Sequence, residues 1–489
     1  MSVLAVDAGT TGVTALVVTD DGRVAARGYE EFPQHFPRPG WVEHEPEQIW
    51  QAVLSACRQA LDGAGSPVSA VGVTNQRETA VLWDRETLAA PRRAIVWQDR
   101  RTAPLCDELR AAGHEPRVAE LTGLRLDPYF TATKLAWLAG HDERAWAGVR
   151  DGRVVAGTVD AYLLARMTGG AHVTDPSNAS RTLLYDIEAG RWSDELCALF
   201  GVPVGALPEV VPSSGVVATT SPDAFLGLRL PVAGIAGDQQ AALFGQACYG
   251  EGDTKCTYGT GSFVLVTTGS TPVRSAAGLL TTVAWDIGAG PVYALEGAIF
   301  VTGAAVQWLR DGLGVIGSAA EVEGLARSVP DSGGVVFVPA LTGLGAPDWD
   351  PSARGLLAGI TRGTTRAHLA RATLESIAFQ VRDVVDVMTS EAGVALPQVS
   401  VDGGASVNDL LFQLQADQLG VPVRRPEVRE TTALGAAFLA GLATGVWSSL
   451  DELAATWRLD RRFEPTPGGR DGPGYGRWRA AVERAKGWG

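Results

Sequence analysis

Hydrophobic residues near the N-terminus are arranged in short segments that predict a regular sheet. Three such segments lie at residues 3–6, 13–18 and 23–28. They are separated by a glycine-rich turn at residues 9–12 and by the Asp20-Asp21-Gly22 turn. Short apolar segments joined by such turns are typical of β-hairpins. The chain therefore begins as a β-sheet, and a further buried strand is predicted at residues 70–74.

Apolar residues at intervals of three and four predict helices between the strands. The clearest cases are residues 46–62 and 366–388, each with an apolar stripe along one face. Shorter helices are predicted at 133–138, 158–168 and 303–309. Residues 430–447 consist largely of Ala, Gly and Leu, which predicts a helix buried on all sides. A buried strand is also predicted within residues 335–347, so the chain alternates strands and helices as an α/β protein does.

Residues 234–263 combine a strand, a carboxylate and a second glycine-rich turn. The strand ends at Gly237, Asp238 opens a helix of small residues, and Gly259 and Gly261 form the turn. Glycine has no Cβ, so a ligand can approach such a turn closely. One interpretation is a catalytic base followed by a phosphate-binding turn. The other is an N-terminal helix cap followed by an ordinary hairpin.

The first glycine-rich turn offers similar chemistry. Gly9 to Gly12 can present backbone N–H groups and two threonine hydroxyls to a phosphate without a lysine. Asp7 precedes this turn and could position a magnesium ion, usually through water. A plain glycine-rich hairpin is the alternative.

Charged and aromatic residues suited to a polyol follow two predicted elements. Arg77 and Glu78 come after the strand at 70–74. The Arg77 guanidinium can donate hydrogen bonds to neighbouring hydroxyls of a polyol, and the Glu78 carboxylate can accept hydrogen bonds from them. The alternative is an ordinary ion pair on the surface. Trp97 and Tyr129 could form the walls of a pocket or belong to the core.

The order of elements repeats after residue 250. The strand, Gly-Thr turn and strand at residues 258–267 repeat the plan of residues 3–18. Residues 398–405, followed by a helix from Asn408, repeat the plan of residues 70–78. The similarity is short, but it indicates two duplicated halves with a ligand between them.

Composition excludes several functional classes. The 489 residues are 46% hydrophobic, which is enough for two or more domains with their own cores. A net charge of −14 and no compensating basic stretch argue against a nucleic-acid partner. Only three of the 41 basic residues are lysines (Lys134, Lys255 and Lys486), so there is no Gly-Lys-Ser/Thr phosphate loop.

Cysteine usage and the N-terminus favour a reducing compartment. The five cysteines are scattered and the six histidines lack zinc-helix spacing, so a structural metal is not expected. The N-terminus leads directly into a strand, and no apolar run reaches the length of a membrane helix. We therefore expect a cytoplasmic protein that is not embedded in a membrane.

Six sequence runs together resemble the FGGY carbohydrate kinase family, and within it the glycerol kinases, across most of residues 3–447. The runs are Pro39-Gly-Trp-Val-Glu-His-Glu-Pro46, Thr74-Asn-Gln-Arg-Glu78, Ala94-Ile-Val-Trp-Gln-Asp-Arg-Arg-Thr102, Asp127-Pro-Tyr-Phe130, Gly234-Ile-Ala-Gly-Asp-Gln-Gln240 and Arg425-Pro-Glu-Val-Arg-Glu-Thr-Thr-Ala-Leu-Gly435. Their number and order make the match specific.

The resemblance implies a fold and an activity. The fold would be α/β, with two ribonuclease H-like domains of the actin and hexokinase type and a ligand cleft between them. An N-terminal domain would span residues 1–247 and bind the polyol, and a C-terminal domain would span residues 248–489 and bind the adenine nucleotide. The implied reaction is ATP-dependent phosphorylation of glycerol to sn-glycerol 3-phosphate in glycerol catabolism. ATP and Mg²⁺ would be the cofactors, and the assembly a homodimer or homotetramer.

The resemblance also assigns roles to residues. Asp238 would be the general base and, with Asp7, would lie near the metal. The polyol contacts would come from Arg77, Glu78, Trp97, Tyr129, Asp238, Gln239 and Phe263. The nucleotide contacts would come from Thr10, Thr11, Gly12, Thr14, Thr260, Gly303, Gln307, Gly404 and Asn408.

Alternatives to glycerol phosphorylation stay open from the sequence. One is a kinase for another small polyol or ketose, such as erythritol, xylulose or ribulose. Another is an actin-like protein that binds a nucleotide without transferring phosphate. The second alternative would be expected to lack the base or the polyol contacts.

The chain departs from the family pattern at three places. Many relatives have a phosphate-binding arginine where this chain has Thr14, which removes a charge-assisted hydrogen bond worth about 1.5 to 3 kcal/mol. Residues 213–230 lack the Gly-Gly-Arg loop with which some relatives bind fructose bisphosphate. No histidine lies between His172 and His368, which argues against activation through a phosphohistidine.

Overall fold

The N-terminal half of the molecule contains a large sheet, several small sheets and nine helices. The computed structural model describes residues 1–488. The strands are β1 Ser2–Ala8, β2 Gly12–Thr19, β3 Val24–Glu31, β4 Gln34–His35, β5 Glu43–His44, β6 Ala70–Asn75, β7 Val81–Asp84, β8 Ala94–Ile95, β9 Val154–Gly157, β10 Val173–Thr174, β11 Tyr185–Asp186, β12 Arg191–Trp192, β13 Glu209–Val210, β14 Ser214–Thr219 and β15 Pro231–Gly237. The helices are α1 Pro46–Ala64, α2 Ala103–Ala111, α3 Glu115–Thr122, α4 Thr131–His141, α5 Glu143–Arg150, α6 Val159–Thr168, α7 Pro176–Ala179, α8 Asp194–Phe200 and α9 Asp238–Gly245.

The C-terminal half is built around a second large sheet. Its strands are β16 Thr254–Tyr258, β17 Ser262–Gly269, β18 Leu280–Asp286, β19 Pro291–Ile299, β20 Val336–Val338, β21 Leu356–Ala358, β22 Val399–Asp402, β23 Val423–Pro426 and β24 Leu459–Phe463. Its helices are α10 Gly303–Asp311, α11 Glu321–Arg327, α12 Arg366–Ala392, α13 Asp409–Leu419, α14 Thr431–Ala443, α15 Leu450–Thr456 and α16 Pro473–Ala485.

The two large sheets share the same central connectivity, and the second has one additional strand, β18, at its edge. In the first, the strand order is β14-β15-β6-β1-β2-β3, with β1 antiparallel to β2 and parallel to β6. In the second, the order is β18-β19-β17-β16-β22-β23-β24, with β16 antiparallel to β17 and parallel to β22. The predicted duplication is therefore present in the strand pairing, and the predicted α/β fold with two repeated domains is confirmed.

Both faces of the first sheet are covered, which explains why its strands are apolar throughout. Leu4 and Val6 belong to a core that also contains residues of α1. Val3 and Ala5 point the other way, into a core that contains residues of α9 and α14. Alternate residues of a strand face opposite sides of a sheet, so β1 needs apolar residues at every position.

Helices α9 and α14 join the two halves. Helix α14 comes from the C-terminal half but packs on β1, β6 and β15 of the first sheet. It lies so close to its neighbours that a Cβ at Gly435 would be 1.8 Å from the carbonyl oxygen of Ala241 in α9. A Cβ at Gly72 in β6 would be 2.0 Å from the carbonyl oxygen of Ala436. Glycine at these positions allows the backbones to come into contact.

Two elements are shorter than the sequence predicted. The strand within residues 335–347 spans only Val336–Val338, since the prolines and glycines that follow interrupt regular pairing. The helix predicted at 430–447 ends at Ala443, and Gly445 then adopts a positive φ of 73° that ends helical geometry. No helix in residues 1–488 has the length and apolar character needed to cross a membrane.

Candidate active site

Three of the predicted site carboxylates lie at one edge of the first sheet. Asp7 is near the end of β1, Glu78 follows β6, and Asp238 follows β15. These strands are parallel neighbours, so their carboxyl ends meet at this edge. The carboxyl ends of adjacent parallel strands are the usual position of ligand sites in α/β folds. Chain segments far apart in sequence therefore contribute to one site.

Asp238 is the first residue of α9, and its carboxylate is partly exposed. The side chain is 29% accessible, and Oδ1 lies 3.0 Å from Nε of Arg77. The backbone N–H of Gln239 donates to the same oxygen at 2.7 Å. A helix N-terminus also stabilises negative charge. Arg77 and the N-terminus of α9 thus hold one side of the Asp238 side chain, and another part of it is exposed.

Arg77 and Glu78 are part of a buried cluster of four charges rather than a surface pair. The guanidinium of Arg77 donates to both carboxylate oxygens of Glu296, at 2.5 and 3.1 Å. Arg181 donates to Glu78 at 2.6 Å and to Glu296 at 3.1 Å. All four side chains are at most 2% accessible. Glu78 also has a positive φ of 62°, an uncommon geometry that often marks functional sites.

The cluster contains two positive and two negative charges, and it connects the two halves of the molecule. Burial by itself would raise the pKa of Glu296, but Arg181 and Arg77 outweigh burial and lower that pKa to about 2. Glu296 lies on β19 of the second sheet, whereas both arginines belong to the N-terminal half. The charges that face the ligand are therefore held from both sides of the cleft.

Three partly exposed aromatic side chains border these charges. Trp97 and Tyr129 meet edge to face with ring centroids 5.6 Å apart. Phe263 of β17 approaches from the second sheet, with the Arg77 guanidinium 5.9 Å from its ring centroid. Burial and the nearby Glu78 raise the pKa of Tyr129, so its hydroxyl stays protonated and can donate. The sequence left open whether Trp97 and Tyr129 form pocket walls or belong to the core. Their partial exposure beside the charged cluster favours pocket walls.

A buried lysine shapes the segment that carries Tyr129. The ammonium of Lys134 donates to the carbonyl oxygens of Pro128, Tyr129 and Phe130. Burial lowers the pKa of Lys134 to about 8. Three carbonyls converge on one cation, so this loop has a defined shape.

The side chains of Gln76 and Trp97 hold the Gly9–Gly12 turn by hydrogen bonds. Gln76 donates to the carbonyl oxygen of Gly9 at 2.9 Å. The indole N–H of Trp97 donates to the Thr10 hydroxyl at 2.9 Å. The backbone N–H groups of Thr10 and Thr11 have no acceptor among residues 1–488. They are therefore available to an anion.

Gly12 and Thr14 lie beyond the tip of this turn. A Cβ at Gly12 would be 2.8 Å from the carbonyl oxygen of Glu30, so glycine is needed here for packing against β3. Thr14 is on β2 opposite Asp7. Thr14 therefore lies beside the predicted phosphate and metal positions.

The second glycine-rich turn is also closed by a backbone hydrogen bond, although it is one residue shorter. Gly9 donates to Gly12 at 3.0 Å, and Gly259 donates to Gly261 at 2.8 Å. Within the described part of the chain, the N–H groups of Thr260 and Gly261 also have no acceptor. A Cβ at Gly303, the first residue of α10, would lie 2.4 Å from the carbonyl oxygen of Gly259. Gly303 thus allows α10 to begin against the turn.

The remaining predicted nucleotide residues belong to the second half. Gln307 is exposed on α10, and Gly404 is exposed after β22 with open space around it. Asn408 is the N-cap of α13, and its Oδ1 accepts from the N–H of Leu411 at 2.9 Å. Its amide nitrogen is therefore the group that can contact a ligand.

Asp7 and Asp238 form a pair of carboxylates that repel each other. Burial, followed by repulsion from Asp238, raises the pKa of Asp7 to about 7. The described residues contain no group of three or more His, Cys, Asp or Glu side chains that could hold a metal. Two hard oxygen ligands fit a Mg²⁺ ion that completes its coordination with phosphates and water.

Sequence reasoning missed Arg181, Glu296 and Lys255. Glu296 is the only charged residue in the apolar strand Pro291–Ile299, and such an isolated charge in a buried strand was the available signal. Lys255 is one of three lysines and also lies in a buried strand. Arg181 follows a polar loop and carries no comparable local signal.

Two family models together match most of the chain. The model of the FGGY family of carbohydrate kinases, N-terminal domain, matches residues 2–245, and that of the C-terminal domain matches residues 254–444. Glycerol kinase 2 of Thermotoga maritima is 53% identical over 491 residues, and glycerol kinase of Aromatoleum aromaticum is 55% identical over 490 residues. Each match covers 99% of this chain and 99% of the relative.

Solved structures give the same result. Plasmodium falciparum glycerol kinase with ADP superposes with a TM-score of 0.92 at 34% identity, covering 99% of this chain and 98% of that chain. A xylulose kinase from Rhodospirillum rubrum superposes with a TM-score of 0.87 at 26% identity, with the same coverage. Two matched domain models and full-length relatives at over half identity leave one conclusion: the chain belongs to the FGGY family of carbohydrate kinases.

Proposed function

We propose that the protein transfers the terminal phosphoryl group of ATP to glycerol and forms sn-glycerol 3-phosphate in glycerol catabolism. The observation that carries this proposal is the position of Asp238. Its carboxylate is partly exposed and is held by Arg77 at 3.0 Å, and the chain also has two Gly-Thr turns with backbone N–H groups that are free within residues 1–488. The relatives at 53% and 55% identity that are named glycerol kinases support glycerol as the acceptor.

Asp238 acts as the general base in this proposal. A primary alcohol is a poor nucleophile at neutral pH, so the reacting hydroxyl must lose its proton as the phosphoryl group is transferred. The partly exposed carboxylate of Asp238 takes that proton. Because Arg77 and the Gln239 N–H hold Oδ1, Oδ2 is the oxygen free to accept it.

The neighbouring side chains orient the polyol. Glu78 and Arg77 contact adjacent hydroxyls of the acceptor in this proposal, and Tyr129 and Gln239 add further polar contacts. The N–H groups of Arg77 already donate to protein acceptors, so an acceptor hydroxyl that binds Arg77 shares or replaces one of these partners. Trp97 and Phe263 cover the carbon skeleton. A rigid site of this kind places the reacting oxygen near the phosphoryl group, which is a large part of catalysis in such transfers.

The two turns bind the nucleotide phosphates. The unpaired N–H groups of Thr10, Thr11, Thr260 and Gly261 suit phosphate oxygens. Gly12, Thr14, Gly303, Gln307, Gly404 and Asn408 complete the nucleotide site. Thr14 supplies a hydroxyl where many relatives have an arginine, so we expect weaker phosphate binding at this position.

Asp7 and Asp238 hold Mg²⁺ in this proposal. Their mutual repulsion makes the pair receptive to a cation. When bound, the ion neutralises negative charge on the phosphates. The chain's own contribution is to keep both carboxylates at the same sheet edge.

We also propose three features of the whole protein. The domain boundary lies between residues 247 and 248, in the connection from α9 to β16. The assembly is a homodimer or homotetramer, and the protein acts in the cytoplasm.

The test is a product assay with purified protein, Mg-ATP and a panel of acceptors. We expect formation of sn-glycerol 3-phosphate, with a higher kcat/KM for glycerol than for xylulose, ribulose or erythritol. A higher kcat/KM for xylulose would favour the activity named for a structural relative at 26% identity. Absence of phosphorylated product with every acceptor would contradict transfer altogether.

A further inference from the structure

Lys255 is a buried cation with an unusual environment. It lies on β16, a central strand of the second sheet, and its side chain is fully buried. Among residues 1–488 it forms no salt bridge. Burial lowers the pKa of Lys255, and the negative charges of Asp402 and Asp238 oppose this effect and favour the ammonium form. A buried ammonium without an ion-pair partner is costly, so it is expected to have a specific role.

The contacts of Lys255 extend from the second sheet to helix α9, which begins at Asp238. Its Nζ donates to Oε1 of Gln239 at 2.5 Å and to Oγ1 of Thr257 at 2.8 Å. Gln239 is the second residue of α9 and follows Asp238 directly. Lys255 therefore contacts the side chain next to the proposed base, although it lies on the opposite half of the molecule.

The chemistry of the two groups fixes the orientation of the Gln239 amide. An ammonium group has donors only, so the acceptor end of the amide must face it. The amide nitrogen of Gln239 is then turned away from Lys255 and remains available as a donor. Without Lys255, either end of the amide could face the cleft, since the two orientations have the same shape.

The rarity of lysine in this chain agrees with a specific role. Only three of 41 basic residues are lysines, and two of them, Lys134 and Lys255, are fully buried and bind oxygen acceptors. A compact ammonium can serve several oxygens around one point, whereas the planar fork of arginine cannot. Arginine is used at almost all other basic positions.

We propose that Lys255 is a positioning residue that orients the Gln239 amide so that its nitrogen donates to a hydroxyl of the acceptor. The inference rests on the proposed function, since it assigns Gln239 to the acceptor site. Lys255 acts through Gln239 and makes no contact with the acceptor itself.

A double-mutant cycle tests this coupling. We expect Lys255→Met to raise the KM for the acceptor about 10- to 100-fold, as loss of a charge-assisted hydrogen bond would, with a smaller change in kcat. In a Gln239→Met background, Lys255→Met should have less than a threefold further effect, about the scatter of such measurements. Equal losses in both backgrounds would overturn the proposal. ADP affinity, measured by calorimetry, should stay within threefold of the wild type in all variants, also about that scatter.

A second variant keeps the test valid if Lys255→Met does not fold. Gln239→Glu retains an oxygen facing Lys255 but replaces the amide nitrogen with an acceptor. We expect this variant to fold and to lose acceptor affinity about 10- to 100-fold. Unchanged acceptor affinity would mean that the amide nitrogen does not donate to the acceptor.

The proposal can fail independently of the assigned activity. If the wild type prefers a different polyol or ketose, the same cycle is measured with that acceptor. If no acceptor is phosphorylated, a neutron diffraction structure of Lys255→Met decides, because deuterium atoms distinguish the amide nitrogen of Gln239 from its oxygen. A Gln239 side chain that keeps its single orientation there would overturn the inference, and a rotated or disordered one would support it.

Discussion

At the scale of single residues, the site depends on charges that hold one another in place. Arg77 contacts Asp238, Glu296 and Gln240, and Arg181 contacts Glu78 and Glu296. Each of these buried groups would be costly alone but is acceptable in the set. Asp238 is the member whose carboxylate is partly exposed. The position of this one carboxylate is therefore set by residues from several segments of the chain.

The proposed base gives the most direct prediction at this scale. Asp238→Asn keeps the size of the side chain but removes the group that accepts the proton. We expect kcat to fall by about 10²- to 10⁴-fold, the usual range for a general base. Steady-state kinetics with Mg-ATP and glycerol measure the effect.

The matched control for this substitution is Asp194→Asn. Asp194 is also the first residue of a helix, α8, but it lies on the surface. We expect its kcat to stay within about twofold of the wild type, since surface substitutions have small effects. A value for Asp238→Asn within threefold of the wild type would remove Asp238 from the role of base, because threefold is about the scatter of such estimates.

At the scale of elements, the junction of β15 and α9 brings Asp238, the proposed base, next to Arg77. Gly237 has a φ of −63°, so its backbone conformation is open to any residue. A Cβ at this position, however, would lie 2.7 Å from Cδ of Arg77 and 3.0 Å from Oε1 of Gln240. Glycine is needed here because the Arg77 side chain lies against the backbone.

Gly237→Ala tests this close contact. We expect Arg77 to be displaced from Asp238 and kcat/KM to fall at least about 10-fold, since a shift of about 1 Å in a catalytic site can cost about 10²-fold. Circular dichroism should show a folded protein. Gly215→Ala in the neighbouring strand β14 is the control, because its nearest atom lies 4.0 Å from the new Cβ. Equal kcat/KM values for the two variants would contradict the explanation.

At the scale of the whole molecule, the two halves are joined by direct backbone contact between α9 and α14. Asp238, the proposed base, begins α9, and α14 supports both α9 and the first sheet. The interface core also contains Trp285 and Trp447. The position of the base relative to the second half therefore depends on this helix pair.

Gly435→Ala should lower the stability of the protein by disturbing the contact between α9 and α14. The added methyl group would meet the Ala241 carbonyl at 1.8 Å, and neither backbone can yield without moving a helix. We expect a loss of about 1 to 3 kcal/mol in the free energy of unfolding, or more, as for other overpacked cores. Urea denaturation followed by tryptophan fluorescence measures it.

The control for this prediction is another helical glycine. Gly324 in α11 is exposed, and a Cβ added to it would have no atom within 4 Å. Gly324→Ala should therefore stabilise the protein by roughly 0.5 to 1 kcal/mol, because alanine restricts the unfolded chain. If Gly435→Ala were equally stabilising, close packing of α9 and α14 would be disproved.

Local patterns predicted the long helices α1 and α12 and several strands of both large sheets, but they gave no prediction for helices such as α2, α3, α8 and α16. The period of apolar residues located α1, α12 and the first three strands within a few residues. At residues 335–347 the predicted buried strand is present as Val336–Val338, but its end was not predicted, because a run of apolar residues with prolines and glycines is compatible with either strand or loop. The repeat of strand, Gly-Thr turn and strand was correctly predicted from a short similarity.

The sequence by itself determined the α/β class, the duplicated plan and the group of candidate residues, because these depend on local periods and on motifs within short segments. Only the tertiary structure decided that Arg77 and Glu78 are buried with Arg181 and Glu296, and that Lys255 contacts the residue beside Asp238. The physical reason is that a charge acts on its neighbours in space. Pairs separated by up to 219 positions along the chain leave no periodic signal in the sequence.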